Sequence, residues 1–485
     1  MVVLNTNTPE FSNDLCDEIR LFFDVRKIAY ENTILAGGYT IWHRQDAENP
    51  FFHTCRVYRD GSPAGEAAYE AEAAEPSSVL QYKKMRKRAA KICVYRALVK
   101  AVGEEKPWGS LTGIRPTKLM RETWEKEGQA EAERLFREEF DVSQPKIRLL
   151  ENICGVQRPV IDSVTPAELD VYIGIPFCTS RCAYCSFSSA LTSKKGDRER
   201  EYVDALLREI GLLRGVLDGF HVRSVYIGGG TPTALVPEQL ERVVRAGAEF
   251  AAPEFTVEAG RPDTITAQKL DILKSMGVNR ISINPQTTCD ATLERIGRSH
   301  SAREFFAAAE LARRYDFQAV NMDLILGLPG ETPEMFLSSV KDVMAQNPEN
   351  ITVHTLAIKR ASAFGMANAH RFASGAQAEQ MLSESMARLA EGGYVPYYMY
   401  RQKYMTGNLE NIGYARPGTE CIYNIDIMEE TCSILAFGAG AISKRVFPSA
   451  QTRIERVPCV KDIPGYIARV EEMAERKKKL FYEPV

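Results

Sequence analysis

Cys178, Cys182 and Cys185 stand in one stretch, I-G-I-P-F-C-T-S-R-C-A-Y-C-S-F-S-S, at residues 173–189. Thiolates bind soft metals, and C-x-x-x-C-x-x-C lets one short loop place three of them around a corner of a cube. A four-iron four-sulfur cluster takes four cysteines when every ligand is protein. Three supplied locally, with no obvious fourth, leave one iron open to a non-protein ligand. An open iron marks a reaction site, whereas a closed cluster marks an electron wire. The paired C-x-x-C knuckles of a zinc site are missing. A structural thiol packs as a small hydrophobe, and a polar loop carrying Arg181 is a poor place for three of them.

Further polar signatures follow at intervals: Gly228-Gly229-Gly230-Thr231-Pro232-Thr233, Glu258, Gln286 and Asp323. The elements between them alternate. Apolar β-rich runs occupy residues 170–177, 224–230, 255–260, 280–286, 319–330 and 350–356, with amphipathic helices over 201–216, 238–250 and 303–315. Continuous Val/Ile runs alternating with helices predict a parallel sheet covered by helices, here a partial (β/α)6 barrel of α/β class. Reacting groups collect at the C-terminal ends of such strands, and each signature falls where a run ends. A glycine triplet there either opens backbone to a ligand or makes a tight turn. Glu258 and Asp323, taken singly, read equally as caps or salt-bridge partners.

Composition bounds the rest. The 485 residues allow about three domains, divided here as 1–165 (α+β, role unassigned), 166–357 (the barrel) and 358–485 (an α+β extension over the substrate). A net charge of −3 predicts no nucleic-acid footprint. No apolar run approaches the ~18 residues of a membrane span, and the acidic start does not resemble a signal peptide. Eleven scattered cysteines argue against a disulfide scaffold. The expectation is a soluble, cytoplasmic monomer in a reducing setting.

Two N-terminal segments stand out. A helix is predicted over Y-K-K-M-R-K-R-A-A-K-I-C-V-Y-R-A-L-V-K-A-V, residues 82–102, whose basic face either meets an anion or is simply solvated. The turn W-G-S-L-T-G-I-R-P-T-K-L, residues 108–119, carries no derivable chemistry. Toward the C-terminus, the aromatic run from Tyr394 to Tyr404 reads as a floor for a flat macrocycle, with Arg401 or Lys403 for its acid groups, or as a packed edge strand. Residues 437–443, F-G-A-G-A-I-S, read as a tight small-residue turn, and the tail A-E-R-K-K-K-L-F-Y-E-P-V as a solvated helix end.

Taken together, V-Y-I-G-I-P-F-C-x-x-x-C-x-Y-C-S-F, I-G-G-G-T-P-T, V-E-A, R-I-S-I-N-P-Q-T and N-M-D-L-I-L-G-L-P-G resemble the radical S-adenosylmethionine (SAM) enzymes. Within them, the likeness is to the oxygen-independent coproporphyrinogen III oxidase group, over roughly residues 165–445. W-G-S-L-T-G-I-R-P-T-K-L and Y-R-Q-K-Y-M-T-G-N-L-E-N-I-G-Y-A-R-P-G look like the HemZ-type branch, the coproporphyrinogen dehydrogenases.

The resemblance implies one 4Fe-4S cluster on Cys178, Cys182 and Cys185, with SAM chelating the open iron and cleaved by one electron from the cluster. It places Gly229, Gly230 and Thr231 at the amino end of SAM, Glu258 at its ribose or main body, Tyr172 near the sulfonium and Tyr184 at the adenine edge, with Ser186 in the same shell. A second SAM would meet Gln286, Arg298 and Asp323. Arg298 is a carboxylate clamp on that reading, or otherwise an exposed helix arginine; His300, taken alone, reads as a helix-start residue. The implied reaction is oxygen-independent decarboxylation of coproporphyrinogen III to protoporphyrinogen IX, with flavodoxin or ferredoxin as donor. The oxidase proper has a further cysteine where this chain has Phe187. The wider group, which shares that departure, includes heme-binding chaperones and heme-modifying methyltransferases, so both stand as alternatives.

Overall fold

Val171, Ile173 and Ile175 alternate with residues that are themselves enclosed, so the strand they form is covered on both faces. That is the pattern of a parallel strand under helices. The computed structural model describes all residues except 24, 26, 72–77, 114, 188, 194, 195, 359–361, 363, 365–371, 404, 448–452 and 483–485. Ile114 of the W-G-S-L motif, Tyr404 of the aromatic run and the last three tail residues therefore lie outside the described residues.

The chain divides into two compact units, Met1–Asn152 and Ile153–Val485. The first holds a five-stranded mixed sheet in the order β2-β1-β3-β4-β5, made of β1 (Val2–Thr6), β2 (Ala29–Tyr30), β3 (Tyr39–Gln45), β4 (Phe52–Arg59) and β5 (Ser62–Glu70). Helices Ser12–Phe22 and Val79–Val102 close its core, burying Leu15, Ile19, Cys93, Val94, Ala97 and Leu98 against Leu4, Ile41 and Val57. Gly65 lets β5 meet the long helix, since a Cβ there would lie 2.6 Å from the Ala97 carbonyl.

The second unit is built on one eleven-stranded sheet. Its strands are β6 (Glu168–Ile175), β9 (His221–Gly229), β10 (Glu254–Gly260), β11 (Arg280–Ile283), β12 (Ala319–Leu326), β13 (Asn350–Thr355), β14 (Val395–Tyr400), β15 (Asn411–Ala415), β16 (Ser433–Phe437), β17 (Ile442–Phe447) and β18 (Arg453–Pro458); β7 (Phe177–Cys178) and β8 (Ala190–Leu191) pair separately. The order is β14-β15-β13-β12-β11-β10-β9-β6-β16-β17-β18. The six central strands, β6 and β9 to β13, are parallel and in sequence order. They are the partial (β/α)6 barrel. Helices between them bury one face: Asp197–Leu213 encloses Tyr202, Val203, Leu206, Ile210 and Leu213, a helical period.

Residues after 357 lengthen the same sheet at both ends. β15 and β14 add antiparallel beyond β13, while β16 adds parallel beside β6 and leads into β17 and β18. The aromatic run is indeed an edge strand. Tyr398 lies across Gly413 of β15, where a Cβ would fall 1.7 Å from its ring. The small-residue turn after β16 packs on β6: a Cβ on Gly438, at φ 100°, would sit 2.6 Å from the Gly174 carbonyl.

The tail departs from the expectation of a solvated end. Helix Val470–Tyr482 buries Lys477, Leu480 and Phe481. The Lys477 ammonium lies 2.5 Å from the Glu209 carboxylate, and both side chains are fully enclosed. Glu209 also accepts from the Gly438 amide (3.0 Å) and the Tyr466 hydroxyl (2.6 Å). The sequence shows K-K-K, and only packing decides which lysine turns inward.

Candidate cluster and cofactor site

Cys178 ends β7, directly beyond the C-terminal end of β6. The pairs Phe177–Ala190 and Cys178–Leu191 clamp both ends of the cysteine loop, with the Thr192 amide donating to the Cys178 carbonyl at 3.0 Å. Inside the loop, the Cys185 amide donates to the Cys182 carbonyl at 3.1 Å and Ala183 to Ile296 at 2.9 Å. Ser180 Oγ donates to the Gly297 carbonyl (3.2 Å) and Thr179 Oγ1 to Asp263 (3.1 Å). All three cysteines are half-buried. Burial pushes the Cys185 thiol up, and Cys182 and Cys178 are near enough to add to it.

A tetrahedral ion with bonds of about 2.3 Å would draw three thiolates to within about 4 Å of one another. Among the described residues the three sulfurs do not meet within 4.8 Å. Asp170, Asp426 and Cys432 do meet that closely, at the opposite end of β6. There Arg223 pairs with Asp426 at 2.9 Å and Ser224 donates to Asp170 at 2.6 Å, as in a structural ion-pair network.

Arg261 was not singled out from sequence. It is buried, its Nη1 donates to the Ser180 carbonyl (3.3 Å) and lies 3.7 Å from Cys182 Sγ, and it pairs with Asp263 at 3.1 Å. Its position just past the end of β10 was the available signal.

The glycine turn ends β9. Gly230 donates to the Ile175 carbonyl (2.8 Å), Thr231 to Phe177 (2.7 Å) and Gly229 to Glu258 (3.2 Å). The amides are thus taken within the chain, so the turn can offer a ligand ammonium only carbonyl oxygens, as a donor requires. A Cβ on Gly230 would strike the Phe177 carbonyl at 2.5 Å, and one on Gly228 the Glu258 carboxyl at 2.9 Å. Close approach to β7 and Glu258 demands these glycines. Thr231 Oγ1 lies 3.6 Å from Cys178 Sγ.

Glu258 takes the Tyr226 hydroxyl at 2.7 Å. Burial, with some help from the Asp323 charge, raises its pKa to about 7 against the pull of Tyr226 and Gly229. Tyr172, Tyr226 and Tyr423 stack, with ring centroids 6.4, 4.5 and 6.2 Å apart. Asp323 is also pushed up by burial, but His354, Asn321 and Thr352 outweigh this and hold it below the ordinary carboxylate range. His354 Nε2 is 3.6 Å from Asp323 and its Nδ1 3.4 Å from the Tyr400 hydroxyl. Tyr226, His354 and Tyr423 went unassigned in the sequence, whereas Tyr400 belongs to the aromatic run.

Gln286 sits beyond β11 in a left-handed conformation, φ 69°. Its amide donates to Asp323 (3.0 Å) and its carbonyl accepts from Ile325 (2.9 Å). Its Oε1 is buried without a partner. Arg298 lies in the turn after helix Asp290–Arg295, not on a helix. It donates to the Tyr184 hydroxyl at 3.0 and 3.3 Å, and its Nη1 is buried without a partner. Ser186 follows Cys185 and is half-buried, while Phe187 is exposed. His300 is buried just before Ser301, which caps helix Ala302–Arg313.

Three thiols on a clamped loop, a turn short of free amides and buried unpartnered acceptor and donor atoms on Gln286 and Arg298 fit a cluster and an amino-acid-bearing cofactor. Residues 172–343 match the radical SAM superfamily model. The chain is 40% identical over 402 residues to the oxygen-independent coproporphyrinogen-III oxidase-like protein HemZ of Bacillus subtilis (strain 168), covering 80% of this chain and 79% of that one. The chain belongs to the oxygen-independent coproporphyrinogen III oxidase-like family of radical SAM proteins.

This family also includes the heme chaperone HemW of the same organism, 37% identical over 201 residues, 40% of this chain and 52% of that one. Coproporphyrinogen III oxidase HemN of Escherichia coli, a radical SAM enzyme of known structure, superposes with a TM-score of 0.53 at 26% identity, over 66% of this chain and 73% of that one. Radical SAM proteins bind a 4Fe-4S cluster and SAM. No helix among the described residues is long and apolar enough to cross a membrane.

Proposed function

We propose that this radical SAM protein carries out the oxygen-independent oxidative decarboxylation of coproporphyrinogen III, converting two propionates to vinyl groups and giving protoporphyrinogen IX. The observation that carries the reading is the extent of the likeness to the HemZ protein, which runs over four-fifths of the chain. Cluster and SAM, when bound, supply reductive cleavage of a sulfonium and abstraction of a substrate hydrogen.

The chain's own residues do the positioning. Cys178, Cys182 and Cys185 would hold the iron, and Arg261 ties the loop through the Ser180 carbonyl beside Cys182. The Gly229–Thr231 carbonyls take the SAM amino group, Glu258 the ribose, Tyr172 borders the sulfonium and Tyr184 the adenine, with Ser186 beside it. Arg298 Nη1 and Gln286 Oε1, both buried without a partner, would with Asp323 hold a second SAM, a guanidinium being suited to its carboxylate. The tyrosines Tyr226, Tyr398, Tyr400 and Tyr423, which pack in one cluster, would border a flat tetrapyrrole. Reduced flavodoxin or ferredoxin supplies the electron.

The second reading is a heme-binding chaperone, favoured by the HemW relatives and by Phe187 in place of the oxidase cysteine. Anaerobic turnover with reductant, SAM and coproporphyrinogen III separates them. The proposal expects 5′-deoxyadenosine, two carbon dioxides per substrate and a product lighter by two carboxyl groups and two further hydrogens, with an added electron acceptor taking the electron left at each decarboxylation. Stoichiometric heme binding without SAM cleavage overturns it in favour of the chaperone, and S-adenosylhomocysteine in favour of a methyltransferase.

A further inference from the structure

The two N-terminal segments without assigned chemistry, the basic helix and the W-G-S-L turn, meet at one place. A cavity of about 180 Å³ within the first unit is lined by Lys84, Lys87, Arg88, Lys91 and Ile92 of helix Val79–Val102, with Ser110, Leu111 and Phe140 opposite. The four cations recur at i, i+3, i+4 and i+7, one helical face. The facing wall is rigid and close. Ser110 donates to the Phe140 carbonyl through its amide (2.8 Å) and its hydroxyl (3.3 Å). Gly109, at φ 51°, is fixed because a Cβ there would lie 1.8 Å from that same carbonyl. This contact explains why the W-G-S-L turn needs its glycine.

The charges divide in two. Lys87 pairs with Asp14 and Lys91 with Glu18, each at 3.2 Å. Glu18 is itself tied by the Thr112 hydroxyl at 3.2 Å, so the turn and the helix share one carboxylate. Lys84 and Arg88 hold no ion pair among the described residues. Arg88 lies over the Phe140 ring at 4.8 Å and feels Glu139 only at a distance, a carboxylate already bonded to Tyr69. Among the described residues no acidic side chain lines the cavity. Two uncompensated cations on a concave wall match an anion of charge about −2, that of a phosphate monoester. A single carboxylate would leave one cation facing another.

We infer that this cavity is a binding site for a phosphate-bearing small molecule, a monoester or a diphosphate, held by Lys84 and Arg88 with Lys87 and Lys91 behind them. The site belongs to the first unit.

The test is calorimetric titration of the full-length protein with inorganic pyrophosphate, at low and at physiological ionic strength. One saturable site per chain is expected, weakened at least about tenfold in Lys84→Ala/Arg88→Ala. The exposed pair Lys100→Ala/Lys126→Ala, away from the cavity, should bind as the parent does. Lys84→Gln, a milder surface change, should give a smaller loss in the same direction. Absence of saturable binding overturns the site, as does equal loss in the control pair, which would mean diffuse charge attraction. Citrate binding as tightly as pyrophosphate overturns the phosphate assignment.

Discussion

Replacing Glu258 by Gln should make the protein more stable above neutral pH while weakening its hold on SAM. The carboxyl titrates near 7 in the folded chain, chiefly because of burial, against about 4.3 when unfolded. A folded acid with a raised pKa binds its proton more tightly than the unfolded chain does. Its contribution is fully present below the unfolded value and is lost as pH rises from about 4.3 to 7. At 1.36 kcal/mol per unit the full loss is about 3.7 kcal/mol. Partial solvent access to Glu258, and the Gly229 amide losing its anionic acceptor, reduce the expected gain to about 2 kcal/mol. Urea unfolding of parent and Glu258→Gln should therefore give curves that lie close at pH 5 and separate by about 2 kcal/mol at pH 8. SAM binding, followed in parallel, should fall at both. A stability difference that does not change between the two pH values would refute the assignment of a buried, proton-holding carboxyl. Unchanged SAM affinity would remove Glu258 from the cofactor site.

Two predictions concern the scaffold. Lys477→Met strands the Glu209 carboxylate in a fully enclosed place and should cost about 3–5 kcal/mol in chemical denaturation, whereas the double variant Glu209→Gln/Lys477→Met should recover most of it; equal losses would mean the pair is not coupled. In the first unit, His43 and His53 hydrogen-bond at 3.0 Å with both rings buried, and burial lowers their pKa values to about 3 and 4. The unfolded chain protonates them near 6.5, so their contribution is present above that pH and lost as pH falls from 6.5 toward 4. His43→Leu/His53→Phe should flatten that acid limb in a urea series from pH 7 to 4; an unchanged slope would show that the pair takes up protons in the folded chain as it does in the unfolded one.

The cysteine loop and the six parallel strands could be read from sequence because each is local: three ligands in eight residues, and Val/Ile runs bounded by turns. The rim positions followed from the rule that strand ends gather chemistry. What escaped depends on long-range encounter. Tyr423 sits in helix Ile422–Glu429 and reaches Tyr226 of β9 only through the fold. His354 acquires meaning from Asp323 and Tyr400, on two different strands, and Arg261 from a thiol that β6 delivers. Arg298 could be placed by motif but not its bond to Tyr184. Lys477 was misread because a run of three lysines carries no mark of which one faces inward.

The short β7–β8 pairing has a bearing on assembly. It fixes the ends of the thiol loop with bonds that belong wholly to the polypeptide, and Ile296, Gly297 and Asp263 hold the middle. The entropy of ordering these residues is therefore spent during folding of the barrel, not at metal capture. The bonds that shape the thiol loop are made by the polypeptide alone, to the strands and turns around it.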